Sequence, residues 1–416
     1  MPITLAEAKN NAVDDVDVQV IDEFRKESAI LDAIIFDDCV NPAGGGGTLT
    51  YGYRRQVTQG AAATRAINSE YTPSNVTTQR YTTDLAVMGG SFEVDRVIAN
   101  IGPAASSAVS LNMSQKIKAA SAKFQDVVVN GDTAADANGF DGLNIALSGS
   151  DTEMGVGTAA TDWSAFTSGS EHAVLDTIDT FLQLLDGSPT LVLGNGQALA
   201  RIRAAARRAG MYTRNPIDDL LGPDGRPIVR ETYGNIVFAD PGAKAGTNDP
   251  IIPIVTRSTK WTITESGTGG TFQVVVDGVA TASVAYNVAN NDLKAALEAL
   301  PGIGTVTVSG TPGTSASVTF AASRNVTLIT ATTGGTHTVA ENSGTKIDHV
   351  TDLYAVRFTL DGFKGLSMAG GKIISQWLPD FSSAGAVKKG EVELGPVGCA
   401  LMATKSAAVL RNIKVA

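Results

Sequence analysis

The chain has 416 residues, of which 43% are hydrophobic and 18% charged, and a formal net charge of −10. That length and composition give room for two or three domains with their own cores and exclude a disordered chain. The acidic balance argues against a protein that grips nucleic acid, whose footprint is basic.

Residues 1–48 read as an extended arm with one short helix. VIDEFRKESAILDAI sets Ile21, Phe24, Leu31 and Ile34 near one face at helical spacing, and GGGG at 44–47 lets the chain bend. Residues 49–96 read as two long strands, TLTYGYRRQVTQ and YTTDLAVMGGSFEVDR, joined by a wide polar loop. Such a ribbon has too few large apolar residues to bury itself and must lie on something else. A long helix is expected over 103–129, with Pro103 at its start, a stripe of Val109, Met113, Ile117 and Phe124, and Asn130-Gly131 as its stop. Residues 170–256 alternate between helix and strand: AVLDTIDTFLQLL, PTLVLG, QALARIRAAARRAG and NIVFAD. Residues 260–345 turn Thr/Gly/Val-rich, with a hairpin signal at Asp277-Gly278 and a short helix capped by Asn290 or Asn291. This segment reads as a small β-α-β-rich domain inserted at 257–347 that faces outward and is dispensable for the basic fold. YAVRFTL, GKIISQW and the C-terminal AAVLRNIKV read as strands, the last with alternating burial.

Candidate chemistry is sparse. KFQDVVVNGDTAADANGFDGL holds Asp132, Asp136, Asn138, Gly139 and Asp141, a calcium-like cluster. With Gly139 at the sixth loop position, however, the first and twelfth are Ala134 and Ile145, which offer no side-chain oxygen. The stretch therefore reads as a helix-to-strand connection. LVLGNGQALARI imitates a dinucleotide fingerprint, but Leu199 occupies the third glycine position. His172, His337 and His349 are scattered, and Cys39 and Cys399 are far apart, so neither type forms a metal or disulfide pattern. No catalytic, cofactor or metal site is expected, and the chain is read as a non-enzyme. The N-terminal sequence has no apolar signal core, and no run reaches the roughly 18 apolar residues of a membrane span. Arg201, Arg203, Arg207, Arg208 and Arg214 read as solvated or subunit-bridging. Arg54, Arg55, Arg65, Arg80 and Arg96, with Glu70, are candidates for a subunit interface, because arginine is enriched at interfaces and pairs bidentately with carboxylates.

The order of these parts resembles the major capsid protein of tailed bacteriophages with the Hong Kong 97-type fold. The sharpest local pieces are VVVNGDTAADANGFDGL and DGRPIVRETYGNIVFADPG, and AYN…LKAALEALPGIGTVTVSG resembles a small module of phage virion proteins. The resemblance implies an α+β fold with an N-arm (1–48), an E-loop (49–96) and a P-domain on a spine helix (97–169). An A-domain (170–256 and 348–369) interrupted by the insert, and a return to the P-domain (370–416), complete it. It implies a self-assembling shell of hexamers and pentamers around double-stranded DNA, made in a bacterial cytoplasm and found in the virion. Packaged DNA would be touched only non-specifically. A portal is an implied partner, and so is a separate scaffolding protein, the latter because the chain starts directly with the arm; a decoration protein is left open. An encapsulin-type compartment shell, or another virion protein such as a tail tube or adhesin, is the alternative. Some family members cross-link through an E-loop lysine, but no lysine occurs here between Lys26 and Lys116.

Overall fold

The structure is a computed structural model that describes residues 29–40, 48–100, 108–155, 161–165, 170–210, 213–221, 227–233, 236–247, 249–267, 269–311, 313–330, 335–342, 346–370 and 372–416. The first half of the expected arm helix, the GGGG stretch and Pro103 lie outside these residues. The fold is mixed α+β and rich in strands.

Helix α1 (Ala29–Ala33) buries Ala29 and Ile30 and leads into β1 (Phe36–Val40). Strands β2 (Thr50–Gln56) and β3 (Thr78–Asp84) form a two-stranded antiparallel ribbon, with Thr50 opposite Asp84 and Gln56 opposite Thr78. The chain then passes Leu85 and continues as β4 (Ala86–Asp95) in a different sheet. The stretch expected as one long strand thus divides at Leu85. Its second half carries alternating buried residues, Ala86, Met88, Phe92 and Val94, whereas β3 has none to bury.

Helix α2 (Arg96–Asn100) is followed by α3 (Ala108–Asn130), which is 23 residues long. Met113, Ala120, Phe124, Val127 and Val128 are buried, at intervals that keep one stripe against the sheet. Phe124 is fully buried between Phe36 and Phe140, with ring centroids at 5.7 and 6.2 Å. Past Asn130 the chain folds back on the last helical turn. A Cβ on Gly131 would lie 2.2 Å from the Phe140 carbonyl oxygen, and one on Gly142 would lie 2.5 Å from that of Val127, so only glycine fits either place. The loop leads to a one-turn helix, α4 (Leu143–Leu147), rather than to a strand.

Short strands β5 (Glu153–Met154) and β6 (Thr161–Asp162) precede α5 (Ser170–Leu182), β7 (Leu191–Gly194) and α6 (Gly196–Arg208). A hairpin, β8 (Thr213–Leu221) and β9 (Pro227–Tyr233), then feeds β10 (Ile236–Ala239), which lies parallel to β7. Val174, Ile178 and Phe181 of α5 and Leu199 and Ile202 of α6 cover this sheet.

Strand β11 (Val255–Gly267) starts in that sheet beside the later strand at 346–356 and runs on between two further partners. Strands β12 (Thr271–Val276) and β13 (Val279–Ala280) turn at Asp277 (φ 52°) and Gly278 (φ 89°), a two-residue turn with both φ positive. After β14 (Val284–Ala285), helix α7 (Asn290–Glu298) has Ala289 in the cap position; neither Asn290 nor Asn291 caps it, and the Asn290 side chain donates to the Gly310 carbonyl at 3.0 Å. Strands β15 (Val306–Thr311), β16 (Ser315–Arg324), β17 (Val326–Thr330) and β18 (Gly335–Glu341) close the segment around Trp261, Ile263, Phe272, Leu297, Val306 and Phe320.

The chain returns through β19 (Lys346–Val356), β20 (Phe363–Met368), β21 (Ile374–Trp377), β22 (Val387–Leu401) and β23 (Ala407–Lys414). One sheet has the order β1-β20-β22-β21, with β4 also paired to β22. The larger sheet contains β7, β10, β11, β19 and β23. β23 is buried on both faces rather than alternating, because Ala407 and Val409 enter the core under α3 while Ala408, Leu410 and Ile413 enter the core under α5 and α6.

A buried ionic network joins these parts. Arg257 donates to both carboxylate oxygens of Asp352 at 3.0 and 2.8 Å, and its Nε lies 3.2 Å from Asp277 Oδ1 in a charge contact without hydrogen-bond alignment. Arg324 Nη1 reaches Asp277 Oδ2 at 3.1 Å. Arg411 meets Asp352 at 3.3 Å and also Glu153. Three cations thus face three carboxylates, and the β12–β13 turn is tied to β11, β16 and β19. Further bonds hold the segment to the end of α3 and to α4: Asn144 donates to the Asp277 carbonyl at 2.6 Å, and Asp132 accepts from the Ala280 N–H at 2.7 Å. Burial pushes the Asp352 carboxyl up, but Arg257 and Arg411 outweigh it and hold the group below its ordinary value. Its contribution to stability is therefore complete above pH ~4 and is lost as pH falls below that, through the folded-state titration.

We expect Asp352→Asn to destabilise the fold by about 3–5 kcal/mol at pH 7, since it leaves two buried guanidinium groups short of a carboxylate. Denaturant unfolding at a series of pH values checks this. The gap between wild type and variant should hold from pH 7 to 5 and narrow below ~4; a gap that is already closed at neutral pH would remove the network from the stability of the fold.

Candidate subunit interface

The ribbon's two faces differ in kind. On one, Tyr51, Tyr53 and Arg55 of β2 stand beside Tyr81 of β3 and are partly covered. Tyr51 stacks on Tyr53 at 5.9 Å and Tyr53 on Tyr81 at 5.8 Å. The Arg55 guanidinium caps Tyr81 at 4.2 Å, and Lys364 Nζ lies 5.1 Å from the Tyr51 ring. A cation therefore closes each end of a three-tyrosine stack, an arrangement favoured by the negative ring faces. Arg55 also donates to the Leu401 carbonyl and, at 3.4 Å, to Thr404 Oγ1. Lys364 Nζ lies 2.5 Å from Asp37 Oδ2 and 3.4 Å from the Tyr51 hydroxyl. Burial lowers the Lys364 titration, but its hydrogen bonds to Asp37 and Tyr51 raise it further, so the amine stays protonated. These contacts seat the root of the ribbon on its own chain.

The opposite face is bare. Arg54 and Arg80 stand directly across from one another, both exposed, with the Arg80 guanidinium lying over Gly52. Like charges in register repel, so this pair weakens the ribbon unless an anion sits between them. Beyond the strands, the loop at 57–77 is exposed throughout, with Val57, Ile67, Tyr71 and Val76 unburied and Ile67 at 91% exposure. Arg65 is held within this loop by the Ala66 and Ser69 carbonyls and stands 5.5 Å from the Tyr71 ring; Glu70 is exposed on the same loop.

The six sequence candidates therefore separate. Arg54 and Arg80 face outward together. Arg55 is committed to its own chain, a role that its sequence position beside Arg54 did not reveal but that follows from strand alternation. Arg65 and Glu70 are on the loop. Arg96 starts α2 at the far end of β4, with its N–H on the Ala386 carbonyl at 2.9 Å, away from the others. Sequence reasoning missed the tyrosine stack, although Tyr51, Tyr53 and Tyr81 alternate in the manner of one strand face, and it missed Lys364, which no local pattern marks.

The other polar clusters serve the fold. Asp132 and Asp136 accept from the N–H groups of Ala134 and Asn138 at 2.8 and 3.1 Å, each closing a turn, and Asp141 accepts from the Thr133 N–H at 2.9 Å across the loop. Asn195 caps α6 by accepting from Gln197 N–H at 3.0 Å, and a Cβ on Gly194 would lie 2.3 Å from Leu353, so that glycine serves packing. A cavity of about 360 Å³ sits against the ionic network; of its charged lining groups, Arg257, Asp277 and Asp352 are paired with one another and Lys244 lies 3.9 Å from Asp126. Burial pushes the Cys399 thiol up, and it pushes the Tyr354 hydroxyl up to about 12. Among the described residues no group of three or more His, Cys, Asp or Glu could hold a metal ion, and no helix is long and apolar enough to cross a membrane.

No protein-family model matches the chain, and no curated protein matches it. Several solved structures are similar over its whole length. The holo-SrpI encapsulin complex of Synechococcus elongatus is 11% identical, covering 100% of this chain and 97% of that one, with a TM-score of 0.49. The capsid of the Myoviridae phage XM1 is 9% identical, covering 99% of each chain, with a TM-score of 0.47. The capsid of a native GTA particle is 10% identical, covering 99% of each chain, with a TM-score of 0.48. These overlaps are modest.

If the stack seats the ribbon, Arg55→Ala should loosen its root by about 1 kcal/mol. Hydrogen exchange of the β2 and β3 amides is expected to speed up several-fold while that of β22 stays unchanged; equal exchange in both proteins would remove Arg55 from this role.

Proposed function

We propose that this chain is a shell subunit, a major capsid protein of the Hong Kong 97 type, whose copies assemble into the closed icosahedral head of a tailed bacteriophage around double-stranded DNA. The observation that carries this reading is the ribbon: an arm seated at its root, with an outward pair of arginines and a long exposed loop. A monomer gains nothing from such an arm, and contacts with neighbouring copies, repeated by symmetry, offset the cost of ordering it. In this reading α3 is the spine helix, and the sheet of β4, β20, β21 and β22 belongs with it to the P-domain. The sheet of β7 and β10 with α5 and α6 belongs to the A-domain. Residues 257–347 form an inserted module with its own core, fixed to the body by Asp277 and its partners. That fixing makes the module part of the body rather than a free outward appendage, and its removal would strip Asn144 and Asp132 of partners. The acidic wall leaves packaged DNA unbound and able to slide. A portal and a separate scaffolding protein complete the assembly.

Electron microscopy of the purified chain tests this, with its scaffolding protein supplied if needed. Closed shells or capsomer rings are expected. A chain that remains monomeric at high concentration with scaffolding present would overturn the reading, and shells that enclose a protein cargo in place of DNA would shift it to a bacterial compartment.

The ribbon has no lysine, and arginine stays protonated and cannot attack an amide. Particles boiled in detergent should therefore run as single chains near 42.9 kDa. A ladder that survives boiling and reductant would show a covalent shell.

A further inference from the structure

The segment formed by β11–β18 buries two polar side chains at the end farthest from the ionic network. Glu265 of β11 and His337 of β18 stand directly opposite one another in the antiparallel ladder, two pairs before its end at Gly267↔Gly335. Both point inward. Glu265 follows Trp261 and Ile263 on the buried face of β11, and only 6% of Glu265 and 9% of His337 is exposed. The Gly313 N–H faces the Glu265 carboxylate, whose Oε2 makes no hydrogen bond among the described residues. The imidazole stacks on Phe272, with ring centroids 4.7 Å apart, and its Nδ1 makes none either.

No described cation is placed to balance the carboxylate. Strands β12, β14, β15 and β17 carry no titratable residue. Arg324, the one titratable residue of β16, lies opposite Ser258 at the other end of β11 and is held by Asp277 and the Gly302 carbonyl. Lys260 alternates to the other face of β11. Glu341 of β18 is paired with Lys346 at 3.2 Å, and on α7 Lys294 is paired with Glu298 at 3.6 Å while Asp292 is exposed. The Tyr286 ring lies beside Gly313.

We propose that Glu265 and His337 form a pH-sensitive latch at this end of the segment: one added proton lies between Nδ1 and Oε2 and ties the two strands, and its loss frees them. Residues opposed in an antiparallel pair have Cβ atoms about 4.5–5.5 Å apart, so a change of rotamer brings the two atoms together. The proton comes from water and belongs to both groups, which titrate as a pair. With it, both side chains are satisfied and the site is neutral. Without it, a buried carboxylate has no balancing charge, and the cost falls on the end of the ladder. Burial pushes the Glu265 carboxyl above its ordinary range, and the Gly313 N–H offsets only part of that. The folded site therefore holds its proton more tightly than the unfolded chain does. Its contribution is complete below pH ~4 and is lost as pH rises through the folded titration. Asp352 behaves in the reverse way and fails on the acid side. Together the latch and the network leave the segment firmest in mildly acid solution. The latch is a property of this segment alone, whatever the chain assembles into.

Hydrogen exchange of the full chain tests this. After correction for the intrinsic rate, the amides of 264–267 and 335–338 should exchange about tenfold faster at pH ~8.5 than at pH ~6, the equivalent of one pKa unit between closed and open ends. Those of β23 should keep one rate. In Glu265→Gln the side chain is neutral throughout and its amide donates to Nδ1, so these strand ends should stay protected at both pH values. Equal exchange of the wild-type strand ends at the two pH values would overturn the latch, as would a folded Glu265→Gln chain that still loosens by the wild-type factor. Should that variant not fold, the wild-type comparison decides by itself. Loosening confined to the two strand ends supports the latch, and loosening of β23 by the same factor would assign the effect to global unfolding and overturn it.

Discussion

The antiparallel ladder between Ala86–Asp95 and Val387–Leu401 is the constraint on which most of the rest depends. It joins segments from the two ends of the sequence and runs along most of β22. Its buried face, Met88, Phe92, Val94, Val392 and Leu394, gives α3 something to pack on. Its far end fixes where the ribbon departs, because β3 and β4 are one path broken only at Leu85. Its solvent face carries Glu93, Glu391 and Glu393. Gly89 and Gly390 keep the ladder tight: a Cβ on Gly89 would lie 2.2 Å from the Val392 carbonyl, and one on Gly390 would lie 2.5 Å from the Phe92 ring.

The second organising interaction is the ionic network around Asp277 and Asp352. Buried charges are costly unless matched, and replacing such a set with apolar groups is often neutral or stabilising. Its value here is positional. Asp277 sits in a turn whose positive φ values fix the direction of its carboxylate, and Arg257 and Arg324 approach from two other strands. An alternative docking of residues 257–347 would leave several of these charges unpaired, so the network selects one orientation. The ribbon is treated in the opposite way. Its root is locked by stacked tyrosines and two cations, while its outer arginines, Arg54 and Arg80, stand across from each other and repel.

Much of this was legible in the sequence. Helix α3 followed from its apolar stripe and the Asn130-Gly131 stop, and the β12–β13 turn from Asp277-Gly278, because each depends on residues close together along the chain. The ribbon was legible as a thing without a core, since that is a matter of composition. The strand at the C-terminus was misjudged as half-buried, because its alternate residues enter two cores built from distant segments, and no local pattern reports that.

The sequence by itself determined the local geometry and the character of each part: where glycine permits a turn, which faces are apolar, and that the ribbon carries arginines and no lysine. Only the tertiary structure decided which charges meet. Arg54 and Arg55 are neighbours in sequence, yet strand alternation turns one outward beside Arg80 and the other inward onto Tyr81, Leu401 and Thr404. Asp277 and Asp352 became the centre of a buried network because β11 passes between both, and Trp377 became conspicuous only when β21 took the edge of its sheet. The physical reason is the same in each case. Pairing across strands is set by register between distant segments, and register is fixed by the packing of whole faces, not by any residue's neighbours in the chain.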